Sequence, residues 1–141
     1  MKEGVHIWLL MWKATRALEA HAHASLQGLE MCPSDFAVLE ALLHKGPLAV
    51  NALGKKVLLT SGSMTAAVDR LERRGLVERR DDPGDRRSWI VHLTAEGQRL
   101  IQKLFAQHAE DMEKPVSALT KNELQTLTGL LRKLGRAAEG K

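Results

Sequence analysis

Residues 61–97, SGSMTAAVDRLERRGLVERRDDPGDRRSWIVHLTAEG, decide how the rest of the chain is read. Met64, Ala67, Val68 and Leu71 recur at steps of three and four, the spacing of one buried helix face. The opposite side carries Ser61, Ser63, Thr65, Ala66, Asp69, Arg70 and Arg73, which are small, polar or basic. Thr60 or Ser61 would cap the start, and Gly75 would close the helix at C′. Upstream, Leu48, Ala52, Leu53 and Val57 predict a short helix, joined to the next by the apolar bridge Leu58–Leu59. Two short helices with a tight join and such an outer face form the helix-turn-helix pattern. The period then changes. Residues 76–80 and 89–93 read as strands, the second alternating Trp89, Val91 and Leu93 against Ile90 and His92. Pro83-Gly84 between them suits the centre of a type II turn. A hairpin with a basic tip directly after a helix-turn-helix is a wing.

Working outward, residues 5–29 place Trp8, Met11, Trp12, Thr15, Leu18, Ala22, Ser25 and Leu29 at helical spacing. The first turns are apolar on the other side too, with Ile7, Leu9 and Leu10, so this helix needs cover all round, and a second subunit is the natural cover. A second helix begins near Pro33, with Asp35 at the positive end of its dipole; it buries Phe36, Leu39 and Leu43 and stops at Gly46-Pro47. After the hairpin, a helix from Thr94 buries Leu100, Ile101, Leu104, Phe105, His108 and Met112 and ends or kinks at Pro115. The last helix opens with a capping box, Thr120 to Glu123, and carries Leu124, Leu127, Leu131, Leu134 and Ala138 on a narrow stripe suited to packing on other helices. The expected fold class is therefore mainly α with a small β-hairpin wing.

The 141 residues suit one compact protomer, and a single cysteine excludes an internal disulfide. No CxxC or CxxH spacing supports a zinc finger. The apolar run Val5–Trp12 is too short to span a bilayer. Ala20-His21-Ala22 imitates a signal-peptidase site, but Lys13, Arg16 and Glu19 lie before it, so a cytoplasmic protein with no membrane partner is expected. The net charge of +4 is uneven: residues 45–90 carry 10 basic and 6 acidic residues, whereas residues 1–44 carry 3 and 5. A local basic excess is a footprint for a polyanion, though a merely solvated face has the same composition.

The runs DRLERRGLV (69–77), DPGDRRS (82–88) and LTAEG (93–97), at these spacings, resemble the MarR family of bacterial winged helix-turn-helix regulators. The flanking helices match in number and order, so the resemblance covers nearly the whole chain. It implies one protomer over 1–141, with dimerisation helices at about 4–29 and 95–138 and a winged helix-turn-helix at about 33–93. It further implies a homodimeric repressor that leaves a palindromic double-stranded operator when a small molecule binds or a cysteine is oxidised. Lys45-Gly46-Pro47 and residues 58–65, LLTSGSMT, look like the branch that responds to quinones and related aromatic electrophiles. Cys32 stands where the family usually has a Ser or Thr cap, so another group must satisfy that helix start.

On this reading Ser61, Ser63 and Thr65 reach phosphates or base edges in the major groove, and Gly62 lets backbone N–H groups approach a phosphate. Arg70 lies on the same outer face. In the family an arginine at the position of Arg87 enters the minor groove, oriented by an aspartate at that of Asp85. A weakly hydrated guanidinium suits that negative potential, and Asp85 could hold it by a charge-assisted bond. Arg86 is a second candidate.

Trp8, Trp12, Met31 and Phe36 could line an effector pocket, or simply be core or dimer residues. Cys32, at a helix N-terminus, should have a lowered pKa and so react with electrophiles, unless it is a buried space-filler. His21, His23, Cys32, His44 and His108 raise a metal hypothesis, and zinc-sensing family members exist. Their ligands sit on the first turn of the second helix, however, where this chain has Phe36 and Ala37. A cysteine-dependent enzyme lacks a third catalytic member, and a helical interaction protein leaves the basic wing unexplained. No cofactor is implied.

Overall fold

The computed structural model describes residues 1–57 and 61–140. The elements are α1 (Glu3–Gly28), α2 (Pro33–Lys45), β1 (Leu48–Ala49), α3 (Val50–Val57), α4 (Ser61–Arg73), β2 (Val77–Asp81), β3 (Trp89–Leu93), α5 (Ala95–Val116) and α6 (Lys121–Ala138). The fold is mainly helical with one antiparallel sheet in the order β1-β3-β2. The expected Leu58–Leu59 bridge, the Thr60 cap and the side chain of Ser61 lie outside the described residues.

The core forms where α2, α3 and α4 meet the sheet. Met64, Ala67, Val68 and Leu71 of α4 are fully buried, as are Val38 and Leu39 of α2, Leu53 of α3 and Val91 of β3. Each buried Val, Leu or Met contributes about 1.5–3 kcal/mol, so the apolar stripe anchors α4 against the core. The end of α4 follows from Gly75, whose φ of 75° is in the left-handed region. Its N–H donates to Glu72 at 3.0 Å, and that of Leu76 donates to Leu71 at 3.0 Å, a Schellman closure that turns the chain into β2.

Leu48 corrects the sequence reading. It belongs to β1, not to a helix, and with Ala49 it pairs with Val91 and Ile90 of β3. Two residues are too few to display an alternation. Residues 77–81 pair with 93–89 in register, which makes β3 the central strand. Trp89 points to the same side as Val91 but is 47% exposed, because at that end the sheet looks onto an open cleft.

Thr94 joins the sheet to α5. Its hydroxyl donates to the Gly75 carbonyl at 2.6 Å and accepts from the Gly97 N–H at 3.0 Å, while its own N–H donates to Leu76 at 3.1 Å. Gly97 packs so closely that an added Cβ would overlap the Leu76 carbonyl oxygen. The LTAEG run is thus a seam between the root of the wing and α5.

Along α5, Ile101 and Leu104 are buried, and Leu100, Phe105, His108 and Met112 are partly so. Ser25 of α1 donates to Asp111 Oδ2 at 2.6 Å, so His108 Nδ1, 2.9 Å away, is the donor to the Ser25 oxygen. Hydrogen bonds from Ser25 and then Gln107 hold the Asp111 carboxyl below the usual carboxylate range. Pro115 sits in the last turn of α5, which continues to Val116.

The outer helices differ from the core. Within one protomer the first half of α1 is not buried all round: Trp8 is 65% and Trp12 50% exposed, with Ile7, Leu10 and Met11 also open. The capping box of α6 is present. Its leucine stripe, however, leaves Leu127, Leu131 and Leu134 exposed, and Leu130 widens it.

Candidate nucleic-acid interface

The inward stripe of α4 fixes what the helix presents outward. Gly62, Ser63, Thr65, Ala66, Asp69 and Arg73 are exposed along it. The Arg70 side chain folds back toward α2. Its Nη2 lies 2.7 Å from Asp35 Oδ1 and its Nε 3.4 Å from Oδ2, and Nη2 is also 3.3 Å from Ser34 Oγ. Asp35 lies in the first turn of α2 as expected, and is also buried beneath this guanidinium. A buried carboxylate needs such a partner.

A second arginine ties the wing to α4. Arg79 of β2 reaches Asp69 at 2.5 Å and Glu72 at 2.8 Å, and its N–H also donates to Glu72 at 3.1 Å. Neither ion pair follows from local sequence spacing. Asp35 and Arg70 are 35 residues apart, and the only clue to Arg79 was the acidic i, i+3 pair on α4.

The tip of the wing is built by aspartates acting on backbone. Asp82 Oδ1 accepts from the Gly84 N–H at 2.9 Å, and the Asp85 N–H donates to the Asp82 carbonyl at 3.2 Å. The turn therefore centres on Pro83-Gly84 as expected. Gly84 does not take a positive φ, however, so the turn is not type II. Asp at the first position and Pro at the second suit type I, which the Asp82 side chain reinforces. Asp85 then accepts the Arg87 N–H at 2.9 Å, and a second turn closes from Ser88 to Asp85 at 3.1 Å. Asp85 was expected to hold the Arg87 guanidinium; it holds the Arg87 backbone. The Arg86 and Arg87 side chains are exposed and, among the described residues, have no ion-pair partner.

The two surfaces converge. A cleft of about 720 Å³ between α3, α4 and the wing is lined by Lys55, Thr65, Arg79, Asp85, Arg87 and Trp89, among others. Thr65, Asp85 and Arg87 of the sequence-based set thus share one concave, basic surface.

The other candidates are dispersed. Cys32 is the exposed N-cap of α2. Its thiol makes no cap bond; Pro33 follows without an N–H to satisfy, and the Phe36 N–H donates to the Cys32 carbonyl at 2.9 Å. Cys32 Sγ lies 3.2 Å from Ser34 Oγ. The Ser34 hydroxyl first, and the backbone N–H groups of Asp35 and Ser34 after it, hold the thiol below its ordinary pKa against an opposing effect of burial. Met31 and Phe36 are in the core, while Trp8 and Trp12 are on the open face of α1, so one protomer does not join them in a pocket. His21 and His23 are exposed, His44 packs edge-on to Phe105, and His108 packs on Phe36. Among the described residues, no three His, Cys, Asp or Glu side chains gather as a metal site. Nor is any described helix long and apolar enough to cross a membrane.

Comparison with known proteins agrees with this geometry. The family model described as MarR family matches residues 31–88. The HTH-type transcriptional regulator MhqR of Bacillus subtilis (strain 168) is 32% identical over 138 residues, covering 98% of this chain and 95% of that protein. A mutant MarR from E. coli complexed with operator DNA has a similar structure, with a TM-score of 0.79 and 26% identity over 94% of this chain and 95% of that one. NadR in complex with 4-hydroxyphenylacetate gives 0.76 and 25% over 91% of each chain. With a helix-turn-helix, a wing and a full-length relative at 32% identity, the chain belongs to the MarR family of winged helix-turn-helix transcriptional regulators.

Proposed function

We propose that the protein is a cytoplasmic homodimeric repressor that reads a palindromic operator with α4 in the major groove and the wing in the minor groove. The observation that carries this reading is the pair of exposed guanidiniums of Arg86 and Arg87, without ion-pair partners among the described residues, presented by a tip whose backbone Asp82 and Asp85 rigidify. A narrow minor groove concentrates negative potential, and a guanidinium is its natural complement. Ser61, Gly62, Ser63 and Thr65 stand at the start of α4, where small residues allow close approach to phosphates and base edges.

The exposed apolar faces of α1 and α6 favour a two-fold dimer that covers them, with the winged segment left free to meet DNA. The segments 4–29 and 95–138 are then the dimer lobe, and the two copies of α4 would read half-sites about 10 bp apart. For release we favour a small aromatic or electrophilic effector, such as a quinone. The ligand of the NadR neighbour, 4-hydroxyphenylacetate, is an aromatic acid, and Cys32 is an exposed thiol with a lowered pKa. Trp8 and Trp12 would line an effector site only where a second subunit encloses them.

Arg87→Ala tests the reading. Anisotropy on an operator duplex should show binding weaker by about 1–3 kcal/mol, with an unchanged melting curve. Equal affinity of the variant would remove the wing from the interface.

A further inference from the structure

Arg70 lies on the same side of α4 as the exposed Ser63, Ala66 and Arg73, yet it turns back to α2. It forms a two-point fork on Asp35, with Nη2–Oδ1 at 2.7 Å and Nε–Oδ2 at 3.4 Å, and a third contact to Ser34 at 3.3 Å. α2 and α4 also share one apolar core, to which Val38, Leu39, Val68 and Leu71 belong, and such packing is close but not directional. Aliphatic packing is strong but fixes the rotation of a helix about its own axis less sharply than a directional bond does. A planar guanidinium on a buried carboxylate adds an angular constraint on the α2 side, as Arg79 with Asp69 and Glu72 does on the wing side, since its two bonds hold only in one orientation.

We propose that Arg70 is a positioning residue, not a phosphate contact: locked to Asp35, it sets the rotation of α4 and thereby which of its side chains face the bases. This rests on the reading of α4 as the groove-binding helix. It assigns Arg70 and Asp35 to base discrimination by α4, beside the short-range minor-groove contact of the wing.

Charge and orientation predict opposite signs at Asp35. Asp35→Asn removes a negative charge from beneath the DNA-binding helix, so an electrostatic role alone makes every duplex bind more tightly. A positioning role makes the selected site bind less tightly while random DNA is unaffected or gains. Arg70→Lys is the complementary variant, since it keeps the charge and loses the fork. A phosphate contact largely survives this change and a positioning contact does not.

The experiment selects a preferred duplex of roughly 30 bp from a random pool with the wild-type dimer, long enough for two half-sites. Affinity for that duplex and for a scrambled one is then measured for wild type, Asp35→Asn and Arg70→Lys across a salt series. We expect both variants to lose about tenfold or more in the ratio of selected to scrambled affinity, the worth of one base contact, with the salt slope unchanged. Wild-type ratios in both variants, or a salt slope lower by about one together with equal losses on both duplexes, would overturn the assignment and make Arg70 inert or a phosphate contact. If burial makes Asp35→Asn unfold, Arg70→Lys still decides, because Arg70 is partly exposed. A wild-type protein that selects no sequence refutes the DNA reading itself, and the positioning role with it.

Discussion

Gly97→Ala should be one of the most damaging single-methyl additions to this chain. Gly97 lies in the first turn of α5, where its missing side chain admits the Leu76 carbonyl; a Cβ there would overlap that oxygen. The obstacle is backbone, so no rotamer change relieves it, and either α5 or the Gly75–Leu76 bend must move. Overpacking of this kind costs about 1–3 kcal/mol. Movement also strains the bonds from Thr94 to Gly75 at 2.6 Å and to Leu76 at 3.1 Å, each worth about 0.5–1.5 kcal/mol. Alanine regains at most about 1 kcal/mol of helix propensity, so the net loss is about 2–4 kcal/mol. For a chain of this size that is a fall of roughly 5–12 °C in melting temperature, read by circular dichroism at matched protein concentration. Operator affinity should fall too, because the seam carries the root of the wing. Gly28→Ala is the control, since nothing lies within 4 Å of the added atom. A Gly97→Ala protein that melts at or above wild type would refute the reasoning, since the close approach would then not constrain the fold.

Other perturbations test other parts. Leu131→Glu, on the exposed stripe of α6, should convert a sedimenting dimer to monomer at micromolar concentration while helix content is kept; an unchanged dimer would place the interface elsewhere. Iodoacetamide alkylation of Cys32 should show a pH midpoint below the ordinary thiol value of about 8.5, and Ser34→Ala should move it upward by removing the chief stabiliser of the thiolate; identical midpoints would separate the two groups. Asp111 has a folded pKa below its unfolded one, so its stabilising effect is present above the ordinary carboxylate range and is lost as pH falls through the folded value. Acidification to about pH 3 should therefore lower the melting temperature of wild type more than that of Asp111→Asn; equal falls would dismiss the Ser25–Asp111 link.

The helices and the wing were legible because their signals are local. The 64-67-68-71 stripe, the Gly75 closure and the Thr120–Glu123 box each lie within a few residues. The errors have a shared cause as well. β1 is two residues long and exists only through pairing with β3, whose partner residues lie 41 and 43 positions later, so no local pattern reveals it. Arg70 read as an outward cation because helical periodicity says which face a residue occupies, not where a long side chain bends back. Asp85 was correctly placed beside Arg87, but at a turn a backbone N–H competes with the guanidinium for the same carboxylate, and in this tip the backbone takes it. Exposure of Trp8, Trp12 and the α6 leucines is legible only as an apolar excess, because what covers them is not in the chain's own contacts.

The tip of the wing also bears on how quickly DNA is found. Between Asp81 and Arg87 three carboxylates accompany two guanidiniums, so the loop is slightly negative overall. Beyond a Debye length of about 8 Å these charges largely cancel, and the loop adds nothing to long-range capture of a duplex. On the proposed reading attraction would appear only on close approach, with Arg86 and Arg87 leading while Asp82 and Asp85 are folded back onto backbone N–H groups. If the wing enters the minor groove as proposed, such a tip would not slow scanning along unrelated DNA and would engage only where the groove is narrow enough to receive it, so dwell time, rather than encounter rate, should distinguish one site from the next.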